Sequence, residues 1–105
     1  MIRHIVLVKF RADVPRAERT AIFADLAALG DRIDGLLATS FGANISPEGK
    51  HLGFVDGFTM DFRDAAARDA YLEDEEHKRL GARMVAALEP DDRIVVFEQI
   101  GPVHL

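Results

Sequence analysis

The sequence predicts an α+β fold: one four-stranded antiparallel sheet carrying helices on a single face. Three observations lead there. Apolar stretches with strand chemistry and stretches of helical period follow one another in the order β-α-β-β-α(α)-β. The first and last strands are apolar on both faces, so each face needs a cover. The 105 residues, 49% of them hydrophobic, suffice for one core and are too few for two, so residues 1–105 form a single domain.

Ile2–Phe10 (IRHIVLVKF) is the clearest strand, rich in β-branched and aromatic residues and closed by turn chemistry from Arg11 to Pro15. Its alternation sets Ile2, His4, Val6, Val8 and Phe10 on one face and Arg3, Ile5, Leu7 and Lys9 on the other. Asp13 is expected to cap a helix starting near Pro15. Ile22, Leu26, Leu29 and Ile33 continue that helix as an apolar stripe of about five turns, with Gly35 as its stop. Arg16, Glu18, Arg19, Asp25 and Asp31 then face solvent.

Leu36–Ile45 reads as a second strand and Ser46–Gly53 as a turn-rich connection, with His51 an exposed loop histidine. Phe54–Phe62 is a third strand, whose Phe54, Asp56, Phe58, Met60 and Phe62 share one face. A carboxylate in that row needs a partner or a proton. Alanines at 65–67 and 70 favour helix, and Asp74 offers a fresh N-cap with Glu75 and Glu76 in the following first turn. Leu80, Met84, Val85 and Leu88 make the stripe of the last helix, which Pro90 ends. Asp91–Ile100 supplies the final strand, and Gly101–Leu105 a short tail. Two such halves fold most simply as a ferredoxin-like βαββαβ layer. Its helix-free face, carrying Ile5, Leu7, Val95 and Phe97 or their alternates on the same strands, then calls for a second protomer, so a homodimer through the sheet face is expected.

Charge and composition exclude several classes. With 13 basic against 18 acidic residues the net charge is −5, which argues against a nucleic-acid partner. No apolar run reaches membrane-spanning length, and Met1–Phe10 lacks the features of a signal peptide. Zero cysteines exclude disulfides and thiolate chemistry and fit a cytoplasmic location.

The residues arranged for chemistry are Tyr71 and His77, six apart across the helix break at Glu73–Asp74. An imidazole near neutral pH can take a proton from a carbon between two carbonyls. A phenol can donate a hydrogen bond to the enolate oxygen that forms. His4, on the strand beneath, is placed to orient His77 or bind substrate, and Asp56, the second substrate-binding candidate, could pair with His4 across adjacent strands. The competing reading packs Tyr71 into the core and makes His77 a helix-start residue with no further role. A His4–Asp56–His77 metal set lacks a metal spacing, and no cofactor is expected.

Arg3–Phe10 (RHIVLVKF), Phe41–Ser46 (FGANIS), Phe62–Asp64 and the Y-x5-H of Tyr71 and His77 resemble the Dabb family, the stress-responsive dimeric α/β-barrel domains. The similarity spans essentially the whole chain. It implies a dimer formed by the helix-free sheet face. In plant members that include a polyketide cyclase, the Tyr and His of the motif serve catalysis and a first-strand His lines the same pocket, corresponding to Tyr71, His77 and His4. Asp56 stands where the cyclase has a further pocket His, and Glu75 replaces a Pro; both departures count against the same substrate. Plant members can also hold Mg²⁺ through backbone carbonyls, around Gly30–Leu36 here. The resemblance thus implies a Dabb-type protein that binds an apolar carbonyl compound for cofactor-free proton transfer or aldol-type cyclisation. The alternatives are a non-catalytic stress-associated dimer and, more weakly, a cofactor-free monooxygenase.

Overall fold

A computed structural model describes residues 1–101. The tail expected from Gly101 onward therefore lies, past Gly101, outside the described residues. The strands are β1 (Ile2–Val8), β2 (Leu36–Ala43), β3 (Asp56–Phe62) and β4 (Ile94–Ile100), and the helices α1 (Arg16–Ala27), α2 (Ala65–Glu73) and α3 (Glu75–Ala86). The strands form one antiparallel sheet in the order β2-β3-β1-β4, the ferredoxin-like arrangement.

Strand parity decides the core. Val6, Val8, Phe58, Met60 and Phe62 point to the helix side, where they meet Ile22, Phe23 and Leu26 of α1 and Leu80 and Met84 of α3. The aromatic centre is Phe23, whose ring lies 5.6 Å from both Phe10 and Phe58. The other face stays open: Leu7, Val95 and Phe97 are 40, 41 and 57% exposed. Arg3 and Asp61 close one end of that face with a two-bond ion pair of 2.8 and 3.0 Å.

Helix α1 departs from its expected form at both ends. Pro15 occupies the cap position without a side-chain cap, and Asp13 bonds to Arg11 instead. The α-helix stops at Ala27 and tightens into a 3-10 turn over Ala28–Asp31. Leu29 and Ile33 still reach the core, so a stripe counted at helical period overruns the helix itself. Gly35 is a point of close approach: at φ +85° a Cβ there would come 2.5 Å from the Ala67 Cβ. A bulge between Leu36 and Ala38 shifts the register of β2 against β3.

The break at Asp74 forms as the sequence indicates. Asp74 ends α2 and caps α3, its carboxylate accepting the His77 backbone N–H at 2.9 Å. Asp64 does the same for α2 through the Ala67 N–H. Helices α1 and α2 lie over β2 and β3, and no helix packs broadly on β4. The helix side of β4 is thus left unroofed, with Val96 56% exposed.

Candidate functional site

That missing roof produces a cavity of about 570 Å³ between α2, α3 and the β1–β4 edge. Its apolar walls include Val6, Met84 and Val96; its polar groups are His4, Arg68, Tyr71, His77 and Glu98. The cavity brings three of the four residues singled out above to one place. Inward parity on β1 supplies His4, the last turn of α2 supplies Tyr71, and the first turn of α3 supplies His77.

The Tyr71 and His77 rings lie 4.0 Å apart between centroids, tilted by 38°. Tyr71 also touches Phe62 at 5.1 Å and is 1% exposed. Burial pushes its phenol pKa well above the ordinary value, so the hydroxyl keeps its proton and can only act as a donor of it in a hydrogen bond or as an acceptor through oxygen. His77 shifts the other way. Burial lowers its pKa below the ordinary imidazole value, with His4 lowering it further and the Leu72 backbone carbonyl opposing both. Nδ1 of His77 is buried without any hydrogen-bond partner, alone in this among the described residues.

His4 is 7% exposed and its Nδ1 lies 2.7 Å from Glu98 Oε2. The second oxygen of Glu98 is taken by Arg68. The His4 ring meets Tyr71 edge-on, 6.2 Å between centroids.

The expected pairing of His4 with Asp56 does not form. β1 and β3 are indeed neighbours, but His4 sits opposite Met60 and Asp56 opposite Val8. Four residues, about 13 Å of strand, separate the two sites. Asp56 is outside this cavity and its buried carboxylate is held by Arg16 and, at 3.0 Å, Arg19. Arg19, expected to face solvent, is drawn inward to 14% side-chain exposure; it also bonds the Val14 and Arg11 carbonyls and covers the Phe10 ring.

Glu98 and Arg68 are the residues that sequence reasoning missed. The available signal was parity: Ile94, Val96, Glu98 and Ile100 share a face, and Glu98 is as anomalous there as Asp56 is on β3. Arg68, three before Tyr71 on α2, faces the same side by helical spacing.

Other places are less equipped. His51 is exposed, its Nδ1 accepting the Gly53 N–H at 2.9 Å within the turn. A hollow of about 670 Å³ on the open sheet face, lined by Ile5, Leu7, Phe54 and Val95 among others, is the concavity of an uncovered sheet. Around Gly30–Leu36 the Ile33 and Gly35 carbonyls accept the Leu36 and Arg63 N–H groups, and the Arg63 guanidinium is held on Asp34 against Gly35. No group of three His, Asp or Glu among the described residues is placed to hold a metal, and no described helix is long and apolar enough to cross a membrane.

A four-stranded layer with one bare apolar face and a polar-tipped cavity under its helices defines the ferredoxin-like class of α+β proteins. The model of the stress-responsive A/B barrel domain, Dabb, matches residues 2–100, and the chain belongs to that family. A dimeric ferredoxin-like protein of unknown function from Jannaschia sp. CCS1 is similar at 28% identity and TM-score 0.86, over 95% of this chain and 98% of that one. An Arabidopsis thaliana protein superposes at TM-score 0.86 and 22% identity over the whole of both chains. The hydroxynitrile lyase of Passiflora edulis shares the fold at TM-score 0.84 and 19% identity, over 99% of this chain and 95% of that one. No curated protein matches the sequence significantly.

Proposed function

We propose that the chain is a homodimer through its open sheet face, and that each protomer's cavity binds an apolar carbonyl compound for cofactor-free proton transfer or aldol-type cyclisation. The observation that carries this is the meeting of the Tyr71 phenol with the His77 imidazole, whose pKa burial lowers, on the wall of a mainly apolar cavity. The neutral His77 imidazole takes the proton from the carbon next to the carbonyl. The C–H electron pair becomes the enolate double bond, and the carbonyl pair moves onto oxygen. Tyr71 donates a hydrogen bond to that oxygen as its charge grows. In a cyclisation the enolate carbon then attacks a second carbonyl of the same molecule, and the His77 proton returns to the new alkoxide. That a hydroxynitrile lyase shares the fold is in keeping with a scaffold that hosts lyase chemistry.

The α-hydrogen exchange of acetophenone in heavy water, followed by NMR, tests this reading. Wild type accelerates exchange; His77→Ala removes about 10²–10⁴ of the acceleration and Tyr71→Phe about 10²–10³. The non-catalytic reading has one observation in its favour, the 1% exposure of Tyr71. It prevails if wild type and both variants exchange at the buffer rate.

A further inference from the structure

The cavity wall opposite His77 carries polar groups that the proton transfer above does not use. Arg68, Glu98 and His4 form a chain: the Arg68 guanidinium on one carboxylate oxygen, His4 Nδ1 at 2.7 Å on the other. An ionised carboxylate only accepts, so Nδ1 must carry a hydrogen. In the neutral ring Nε2 then holds the lone pair. His4 lines the cavity, and Nε2 is not among the sealed, unpartnered atoms, so that lone pair is open to a ligand.

Tyr71 and His4 thus offer opposite halves of a hydrogen-bond pattern, their rings 6.2 Å apart. Tyr71 presents an O–H for a carbonyl oxygen. His4 presents an acceptor, which a carbonyl or ether oxygen cannot satisfy and a hydroxyl can. Charge narrows the choice further. Glu98 and Arg68 neutralise each other, leaving no free cation on this wall for an anionic group.

Resting on the carbonyl reading of the cavity, we infer that Glu98, braced by Arg68, is a positioning residue that fixes the His4 tautomer, so that the site selects uncharged carbonyl compounds bearing a hydroxyl or enol O–H. The favoured substrate class is a hydroxy ketone or the enol of a 1,3-dicarbonyl, bound more tightly than a simple ketone or a carboxylic acid.

Glu98→Gln tests the tautomer directly. Arg68 has only donors, so it takes the amide oxygen and turns the amide NH₂ toward His4 Nδ1. The ring must then move its hydrogen to Nε2. Imidazole ¹⁵N NMR at about pH 8, where an ordinary imidazole is neutral, reads the hydrogen on Nδ1 in wild type and on Nε2 in the variant. Calorimetric titration with 3-hydroxyacetophenone and 3-methoxyacetophenone reads the consequence. Wild type binds the hydroxy compound about tenfold more tightly, and Glu98→Gln loses that preference while still binding the ketone.

A wild-type His4 with its hydrogen on Nε2, or a preference that survives Glu98→Gln, overturns the inference. Equal binding of both ketones by wild type also overturns it, while leaving the carbonyl reading intact. Failure of wild type to bind either ketone brings down the carbonyl reading and the selection with it. Should the variant not fold, the wild-type tautomer and the wild-type preference decide the matter.

Discussion

Asp74 Oδ1 accepts the His77 backbone N–H at 2.9 Å and receives Arg32 Nη2 at 2.7 Å, so one carboxylate starts α3 and fixes where the His77 ring meets the cavity. The Arg32 guanidinium and the His77 and Glu76 backbone hydrogen bonds hold the Asp74 carboxyl below the usual carboxylate range. Removing the side chain as Asp74→Ala should fray the first turn of α3, lower the melting temperature, and shift the His77 amide and ring signals together in NMR spectra. Asp74→Asn, which keeps the acceptor oxygen, should leave the ring signals close to wild type. Equal behaviour of the two variants would show that the cap does not position the ring.

Tyr71 is the sole tyrosine and the chain has no tryptophan, so the phenol can be watched without interference. Its pKa is raised by burial. A raised phenol pKa means that stability is full below the unfolded value near 10 and falls as pH rises past it. Phenolate absorbance should therefore stay absent through pH 10 and appear only with unfolding. A reversible titration near 10 in folded protein would place the hydroxyl in water.

His77 has the opposite sign. Its folded pKa is lowered by burial, so the neutral ring adds no penalty above the unfolded value near 6.5, and stability declines as pH falls from there toward the folded pKa. Exchange catalysed by His77 should persist into mildly acidic solution for the same reason. His77→Leu removes an unpartnered buried nitrogen and should be neutral or stabilising by about 1 kcal/mol at neutral pH. In denaturant titrations it should also lose the acid-side decline, and it should abolish exchange. A large loss of stability in His77→Leu would favour a purely structural histidine.

Leu7 and Phe97 lie on the open sheet face. Placing a charge there as Leu7→Glu should convert a dimer to monomer in sedimentation, because a stable interface of about 1,000 Å² or more cannot bury an unpaired carboxylate. A wild-type monomer at micromolar concentration would remove the proposed dimer.

Met84 is 5% exposed and serves both core and cavity wall. Met84→Ala should cost about 2–5 kcal/mol in denaturant unfolding and admit bulkier ketones, whereas Leu72→Ala, at a 41% exposed residue of the same rim, should change stability little. Equal costs would mean that the cavity wall is not part of the core.

The elements whose order, faces and breaks were legible are those governed by local chemistry. The β1 alternation in Ile2–Phe10 already put His4 on one face with Val6 and Val8, and Asp74 announced the helix break through its capping chemistry. The true end of α1 was not legible, because Leu29 and Ile33 keep a helical apolar spacing through a 3-10 turn. The partner of His4 was misplaced for a different reason. Asp56 and Glu98 are both lone carboxylates on inward strand positions, and only register distinguishes them: Glu98 stands opposite His4, and Asp56 opposite Val8.

Residue order and side-chain chemistry alone determined a sheet covered by helices on one side, bare on the other, with His4 sharing a strand face with Val6 and Val8 and Tyr71 and His77 on either side of a helix break. Those features depend on periods of two and 3.6 residues, which the chain carries in itself. The tertiary structure decided which carboxylate reached His4, that Arg16 and Arg19 closed over Asp56, and that β4 was left unroofed to make a cavity. Each of these depends on how far one strand slides along another and where a helix crosses it, which is set by the packing of residues distant in sequence.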